Sequence, residues 1–264
     1  MHTISFISAN YVARSLEYSG PHEWGPNDQA TVQAASAEHF EAVADDIANA
    51  GFQAVDIWTA HCHWQHHAEQ HREQVKDICA RRGLAVTSYA GGLQIDGVAD
   101  LEAPFAFMQR LGAPIFAGGI NGLPDNELAA AVNDVCEKYD MRWGFENHPQ
   151  KTAEEILSKI GHGRYDRCGV ALDTGWCATQ GLDALEAAKR LRDHLFILHL
   201  KDVEAVGGHD TCALGEGIVP VENIARYLVE SGWQGTICIE HEPYDRDPMP
   251  EVRRSLERLQ QWLC

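Results

Sequence analysis

Short apolar runs alternate with helix-patterned stretches from end to end of the 264-residue chain, and this predicts an α/β fold: a single (β/α)8 TIM barrel over residues 1–264. Two further observations favour the closed barrel over a doubly wound open sheet. About eight βα units of ~30 residues each fit the chain, which is what a barrel needs. The sequence also lacks GxGxxG, GxxxxGK[ST] and GxSxG, so neither a dinucleotide turn, a P-loop nor a nucleophile elbow is present.

The predicted strands, in order, are residues 4–8, 54–58, 85–88, 115–117, 142–146, 169–173, 196–199 and 236–240. Between them the spacing predicts helices over 37–50, 65–82, 126–139, 153–160 and 221–231; in the last, Val221, Ile224 and Leu228 recur three and four apart. Gly51, Gly83, Gly112 and Gly232 stand just before the next strand, where a helix is expected to close. No repeat, linker or low-complexity tract marks a domain boundary.

With 39 acidic against 21 basic side chains, the net charge is −18, which repels phosphate backbones and anionic lipid surfaces. Apolar residues make up 45% and charged residues 23%, enough for a buried core and too little charge for disorder. The opening MHTISFISAN has neither the basic start nor the long apolar run of a signal peptide, and no 18-residue apolar stretch occurs. Eight scattered cysteines without a CxxC pair read as reduced thiols. A cytoplasmic location is expected.

Barrel active sites lie at the carboxyl ends of the strands, so polar residues that close apolar runs are the place to look. RWGFENHP puts Glu146 at the tip of strand five, GVALDTGW puts Asp173 at the tip of strand six, FILHLKD carries His199 and Lys201 on strand seven, and TICIEHEP ends strand eight with Glu240. Alternation gives them a shared direction: Cys238 and Glu240 face inward while Ile237 and Ile239 face the helices, and Ala171 and Asp173 face inward while Val170 and Leu172 face out. Three carboxylates and one imidazole form a hard, oxygen-rich set suited to Mn²⁺, with Mg²⁺, Co²⁺ or Zn²⁺ as alternatives. Without a cation the three carboxylates would repel one another. The alternative is that each is a barrel-end polar residue bonded to loop amides.

At the ENH, LDTG, HLKD and IEHE segments the chain resembles the xylose-isomerase-like barrel superfamily of sugar phosphate isomerases and epimerases, over nearly its whole length. The resemblance implies one divalent metal held by Glu146, Asp173, His199 and Glu240. It also implies that Glu146 and Glu240 are the acid and base that move a proton next to a carbonyl through a metal-stabilised enediolate. The sequence departs from the ketose 3-epimerase pattern at two places. Trp176 stands where a histidine commonly follows the strand-six aspartate, and Lys201, Asp202 and Val203 stand where an arginine often follows the strand-seven histidine.

His148, two residues after Glu146, reads as a general base or as a structural histidine beside Pro149. Lys201 reads as a Schiff-base lysine, a contact to a substrate oxygen or a carboxylate partner. Trp58, His61 and Trp176 are candidate substrate walls, and His209 and Glu216 in GGHDTCALGEG are candidates for a segment laid over the site. His63, His67 and His71 sit four apart, a spacing that suits zinc or a solvated helix start.

The leading reading is a metal-dependent isomerase or epimerase of a ketose or keto-sugar in carbohydrate metabolism. A lyase or dehydratase uses the same proton abstraction and then expels a β-substituent; inosose dehydratases and the alpha subunits of C-glycoside-cleaving lyases, acting on 3-oxo-glycosides, look similar at these motifs. The net charge argues against the third class, apurinic endonucleases with three zinc ions. The expected partner is a small sugar or sugar derivative, not nucleic acid or membrane. A homo-oligomer suits the epimerase reading and a hetero-oligomer the lyase.

Overall fold

The computed structural model describes residues 2–264. Among these, eight parallel strands close into a barrel: β1 (Thr3–Ile7), β2 (Ala54–Trp58), β3 (Ala85–Gln94), β4 (Ile115–Asn121), β5 (Arg142–Glu146), β6 (Cys168–Asp173), β7 (Leu195–Val203) and β8 (Thr236–Glu240). Each pairs in parallel with the next, and β8 returns to β1, so the barrel has no open edge. A two-residue strand, Thr211–Cys212, pairs antiparallel with the end of β7.

Strand alternation sorts the core into two shells. Outward residues such as Val55, Phe116, Val170, Leu198 and Ile237 pack under the helices. Inward residues form a smaller cluster of Ile7, Trp58, Ala90, Ala117, Ala171, Ile197 and Cys238. Four of these are alanine or cysteine, where barrel interiors commonly carry bulky branched residues. Ser5, Asp56, Ser88 and His199 are also fully buried inside the barrel.

Predicted and observed boundaries coincide for β2, β5 and β8. Strands β3 and β4 run six and four residues beyond expectation (from Ser88 to Gln94 and from Ala117 to Asn121), because their glycines pair across the ladder, Gly91 with Gly118 and Gly92 with Gly119, instead of turning. A Cβ at Gly118 would lie 1.7 Å from the Gly91 carbonyl oxygen, so glycine is required there. The helix predicted from residue 65 begins at Glu69: His67 Nδ1 accepts the His63 N–H at 2.7 Å and holds the preceding residues in a turn. Gly112 closes the helix Glu102–Leu111 with φ +92, as its place in the sequence predicts. All eight cysteines are free, seven of them buried. No helix among the described residues is long and apolar enough to cross a membrane.

Candidate active site

Glu146, Asp173 and Glu240 each end a strand, and His199 lies inside β7, so four neighbouring strands bring them to the same mouth of the barrel. His199 Nδ1 lies 2.5 Å from Glu146 Oε1, and Nε2 lies 3.0 Å from Asp56 Oδ2 on β2. Burial opposes charging this imidazole, but Glu146, Asp56 and Glu240 outweigh it and hold its pKa well above the ordinary value. Burial likewise opposes ionisation of Glu146, but His199 outweighs it, and the Glu146 pKa falls below the ordinary value.

Lys201, two residues on and on the same face as His199, reaches Glu240 Oε1 at 2.8 Å, Glu242 Oε2 at 2.7 Å and Asp173 Oδ2 at 3.3 Å. Burial disfavours its charge, yet the three carboxylates raise its pKa well above the ordinary value. Gly175 makes room for this arm, since a Cβ there would lie 2.6 Å from Lys201 Cδ. Burial raises the Asp173 and Glu242 pKa values, Glu242 to about 8.

The strand ends are clamped. Asn147 donates to the Asp173 carbonyl at 3.0 Å and accepts the Asp173 N–H at 2.9 Å. Asn10, in the loop after β1, donates to the Ile239 carbonyl at 3.1 Å and accepts the His241 N–H at 2.8 Å, on either side of Glu240. Asp173 Oδ1 accepts the Trp176 N–H at 2.9 Å and caps the helix Thr174–Thr179.

The donor set suits a divalent metal. One ligand atom each from Glu146, His199 and Glu240 lies within 4.8 Å of the others. Glu240 is 4% exposed, and its Oε2 has no hydrogen-bond partner among the described residues. Five acidic side chains, from Asp56, Glu146, Asp173, Glu240 and Glu242, surround two cationic ones, and burial raises the pKa of Asp56, Asp173 and Glu242, so a bound cation would favour their ionised forms. A second set, Asp56, His199 and Cys238, also lies within 4.8 Å. There burial holds the Cys238 thiol protonated, its pKa well above the ordinary value, and a thiol is a poor ligand. Asp173 stands apart from the first set, its Oδ2 facing Lys201.

Above the charged group opens a cavity of about 1060 Å³. Trp58, Trp176, Lys201, His148 and His209 line it. The His148 ring packs edge-on to Trp176 at 4.9 Å, and its Nε2 is 3.8 Å from Glu146 Oε2, beyond hydrogen-bond distance. His209 packs on the other side of Trp176, also at 4.9 Å. Two expected substrate-site residues, His61 as a wall and Glu216 in the segment over the site, lie elsewhere. His61 is fully buried beside Trp58, its Nδ1 3.1 Å from Ser8 Oγ, because the turn after β2 folds it under the rim instead of over it. Glu216 faces outward to Arg254 and Arg258: Asp202 draws the Gly215, Gly217 and Val219 N–H groups inward at 2.9–3.0 Å, and the intervening side chain is left on the outside. His67 and His71 direct Nε2 at the Val32 and His61 carbonyls, so the histidine run is tied to backbone and is not assembled around zinc.

Comparison with known proteins places this geometry in a family. The model described as "Xylose isomerase-like TIM barrel" matches residues 44–262. Among solved structures the chain is similar to D-allulose 3-epimerase from Methylomonas sp., with 15% identity, 99% of this chain and 98% of that one covered, and a TM-score of 0.74. It is similar to a xylose isomerase-like TIM barrel protein from Mycobacterium smegmatis in complex with magnesium, with 17% identity, coverage of 100% and 97%, and a TM-score of 0.72. The probable 3-DHS dehydratase AsbF, involved in petrobactin synthesis in Bacillus anthracis, matches with 14% identity, coverage of 98% and 99%, and a TM-score of 0.68. At these identities the likeness is one of fold. No curated protein matches the sequence.

Proposed function

The chain belongs to the xylose isomerase-like TIM barrel family, and from that premise we propose that it is a divalent-metal-dependent isomerase or epimerase of a ketose or keto-sugar. The observation that carries the reading is the placement of Glu146 and Glu240 around one buried imidazole, beside a large cavity. Glu146, Asp173, His199 and Glu240 would hold the ion, Mn²⁺ being the preferred candidate and Mg²⁺, Co²⁺ and Zn²⁺ the alternatives. The ion supplies positive charge beside the oxygen on which negative charge develops. One of the two glutamates takes the proton from the carbon next to the carbonyl, and the other returns a proton. Lys201, its ammonium fixed by three carboxylates, donates a hydrogen bond to a substrate oxygen; His148 and Trp176 bound the substrate at the rim. The proposed reaction belongs to cytoplasmic carbohydrate metabolism.

A second reading, a lyase or dehydratase, has one observation in its favour: a full cation, Lys201, lies 2.8 Å and 2.7 Å from Glu240 and Glu242 inside the cavity, where it can assist a departing group. It would call for a partner chain in a hetro-oligomer if a separate subunit completes the site. Two measurements test the proposal. Protein purified without chelator should carry about one divalent metal per chain, lost in Asp173→Asn. Substrate turned over in deuterated water should gain deuterium next to its carbonyl, with product isomeric to substrate for the first reading and smaller by the expelled group for the second. Metal-free protein after reconstitution, or turnover without exchange, overturns the proposal.

A further inference from the structure

Resting on the sugar reading above, we propose that the substrate is an uncharged sugar derivative bearing a flat apolar substituent, which lies over Gly92 and Gly119 and against the aromatic mouth. The floor supplies the first argument. Gly92 and Gly119 are paired in register on β3 and β4, and both line the cavity. Neither has the positive φ that favours glycine, and a Cβ built on either meets nothing within 4 Å. Gly91 and Gly118 next to them are different: there a Cβ would strike Thr59 or the Gly91 carbonyl. At Gly92 and Gly119 neither backbone nor packing calls for glycine, and the missing side chains leave open space above the inward alanines Ala90 and Ala117. Glu240 lines the same space.

Size and wall chemistry point the same way. A volume of about 1060 Å³ is at the top of the range of roughly 300–1,000 Å³ that holds drug-sized ligands. Trp58 forms one wall, with Trp24 edge-on to it at 5.2 Å; Tyr244 stacks on His22 at 5.8 Å, and Trp176 stands between His148 and His209. Trp24 is 42% exposed, a large apolar ring left in solvent at the rim of the cavity.

Charge adds to this. The cavity is lined by Glu23, Asp28, Asp125, Glu146, Glu240 and Glu242, and among the described residues its only lysine or arginine side chains are Lys159 and Lys201. Lys159 is bound to Asp125 at 3.0 Å, and Lys201 is bound by three carboxylates. Away from the metal end of the cavity, a phosphate or carboxylate on the substrate would meet acidic side chains and two lysines whose charge carboxylates already offset. Barrels that bind phosphate do so at the loops after β7 and β8; here that rim carries Glu240 and Glu242.

The test is calorimetric titration of the Mn²⁺-loaded enzyme with three probes: the 3-keto forms of methyl β-D-glucopyranoside, phenyl β-D-glucopyranoside and glucose 6-phosphate. The phenyl compound should bind roughly tenfold or more tighter than the methyl compound, from burial of the ring, and the phosphate should bind most weakly. In Gly119→Val, a substitution suited to a strand, the phenyl-to-methyl affinity ratio should collapse towards one. Trp24→Ala, an exposed position with little bearing on folding, should lower the same ratio several-fold and covers the case in which Gly119→Val does not fold. Equal affinity for methyl and phenyl compounds in the wild type, or tightest binding of the phosphate, overturns the inference and leaves the sugar reading standing. Absence of binding by all three overturns both.

Discussion

The two halves of the barrel present different chemistry at the same mouth. Strands β5–β8 offer Glu146, Asp173, His199, Lys201 and Glu240, whereas β2–β4 offer Trp58, Gly92 and Gly119 at equivalent inward positions. One half concentrates charge in a buried, low-dielectric setting where it acts strongly; the other provides space and apolar surface. The difference also appears in the histidines. Carboxylates raise the pKa of His199 at the centre of the charged half, while burial lowers those of His39, His61, His63 and His67 in the first half and of His241 just past β8. On the proposed reading, reaction and recognition are divided between the halves, with Asp56 as the exception, a first-half carboxylate bonded to His199.

The largest effect should come from the charged half. Glu240→Gln keeps size and fold, so turnover should fall by about 10²–10⁴-fold, with an unchanged circular dichroism spectrum and melting temperature near wild type. Turnover within tenfold of wild type would show that the division does not hold. Asp56→Asn probes the exception. Asp56 orients His199 through Nε2 and leaves Nδ1 facing Glu146 and Glu240; loss of that hold should weaken Mn²⁺ binding about 10–100-fold, read by calorimetry independently of activity. Unchanged metal affinity would make Asp56 a spectator.

Fold and charged half were legible in the sequence for one reason: a strand in a barrel is buried on both faces, so an apolar run that ends in a carboxylate or histidine marks both the strand and its mouth end. Asp56 was not legible, because a charge in the middle of AVDIW gives no sign of ending a strand; only barrel closure sets it opposite His199. Glu242 lies past the end of β8, where alternation no longer says which way a side chain points. Glycine presents the opposite difficulty. Gly92 and Gly119 carry no side chain to read in the sequence, and only the space around each Cα separates a glycine that keeps space open from Gly118, which packing demands.

Asn147 and Asn10 ask whether the halves are mechanically separate. Asn147 clamps β6 from within the charged half, and Asn10 clamps β8 from the loop after β1. Each Asn→Ala leaves a buried N–H and a buried C=O without partners, so each should cost about 1–3 kcal/mol in denaturant unfolding. Equal costs, with turnover reduced in both, would mean that the first half holds Glu240 as firmly as the second holds Asp173. A loss confined to Asn147→Ala would sharpen the division.

The smallest effect concerns the first half's histidines. Burial, with His66 and His67 nearby, pushes the His63 pKa down from its ordinary value to about 4. The folded state therefore resists a proton that the unfolded chain accepts near pH 6.5, and between these values unfolding takes up protons. Stability from this group is present above pH 6.5 and is lost as pH falls towards 4. His63→Gln, which does not titrate, should melt close to wild type at pH 8 and gain on it as pH falls, by roughly 1 kcal/mol at pH 4.5, a figure discounted for the partial exposure of the ring. Melting curves of both proteins at pH 4.5, 6 and 8 read the difference directly. A constant offset at all three would mean that His63 titrates alike in folded and unfolded chains, and that burial in the recognition half does not reach this ring.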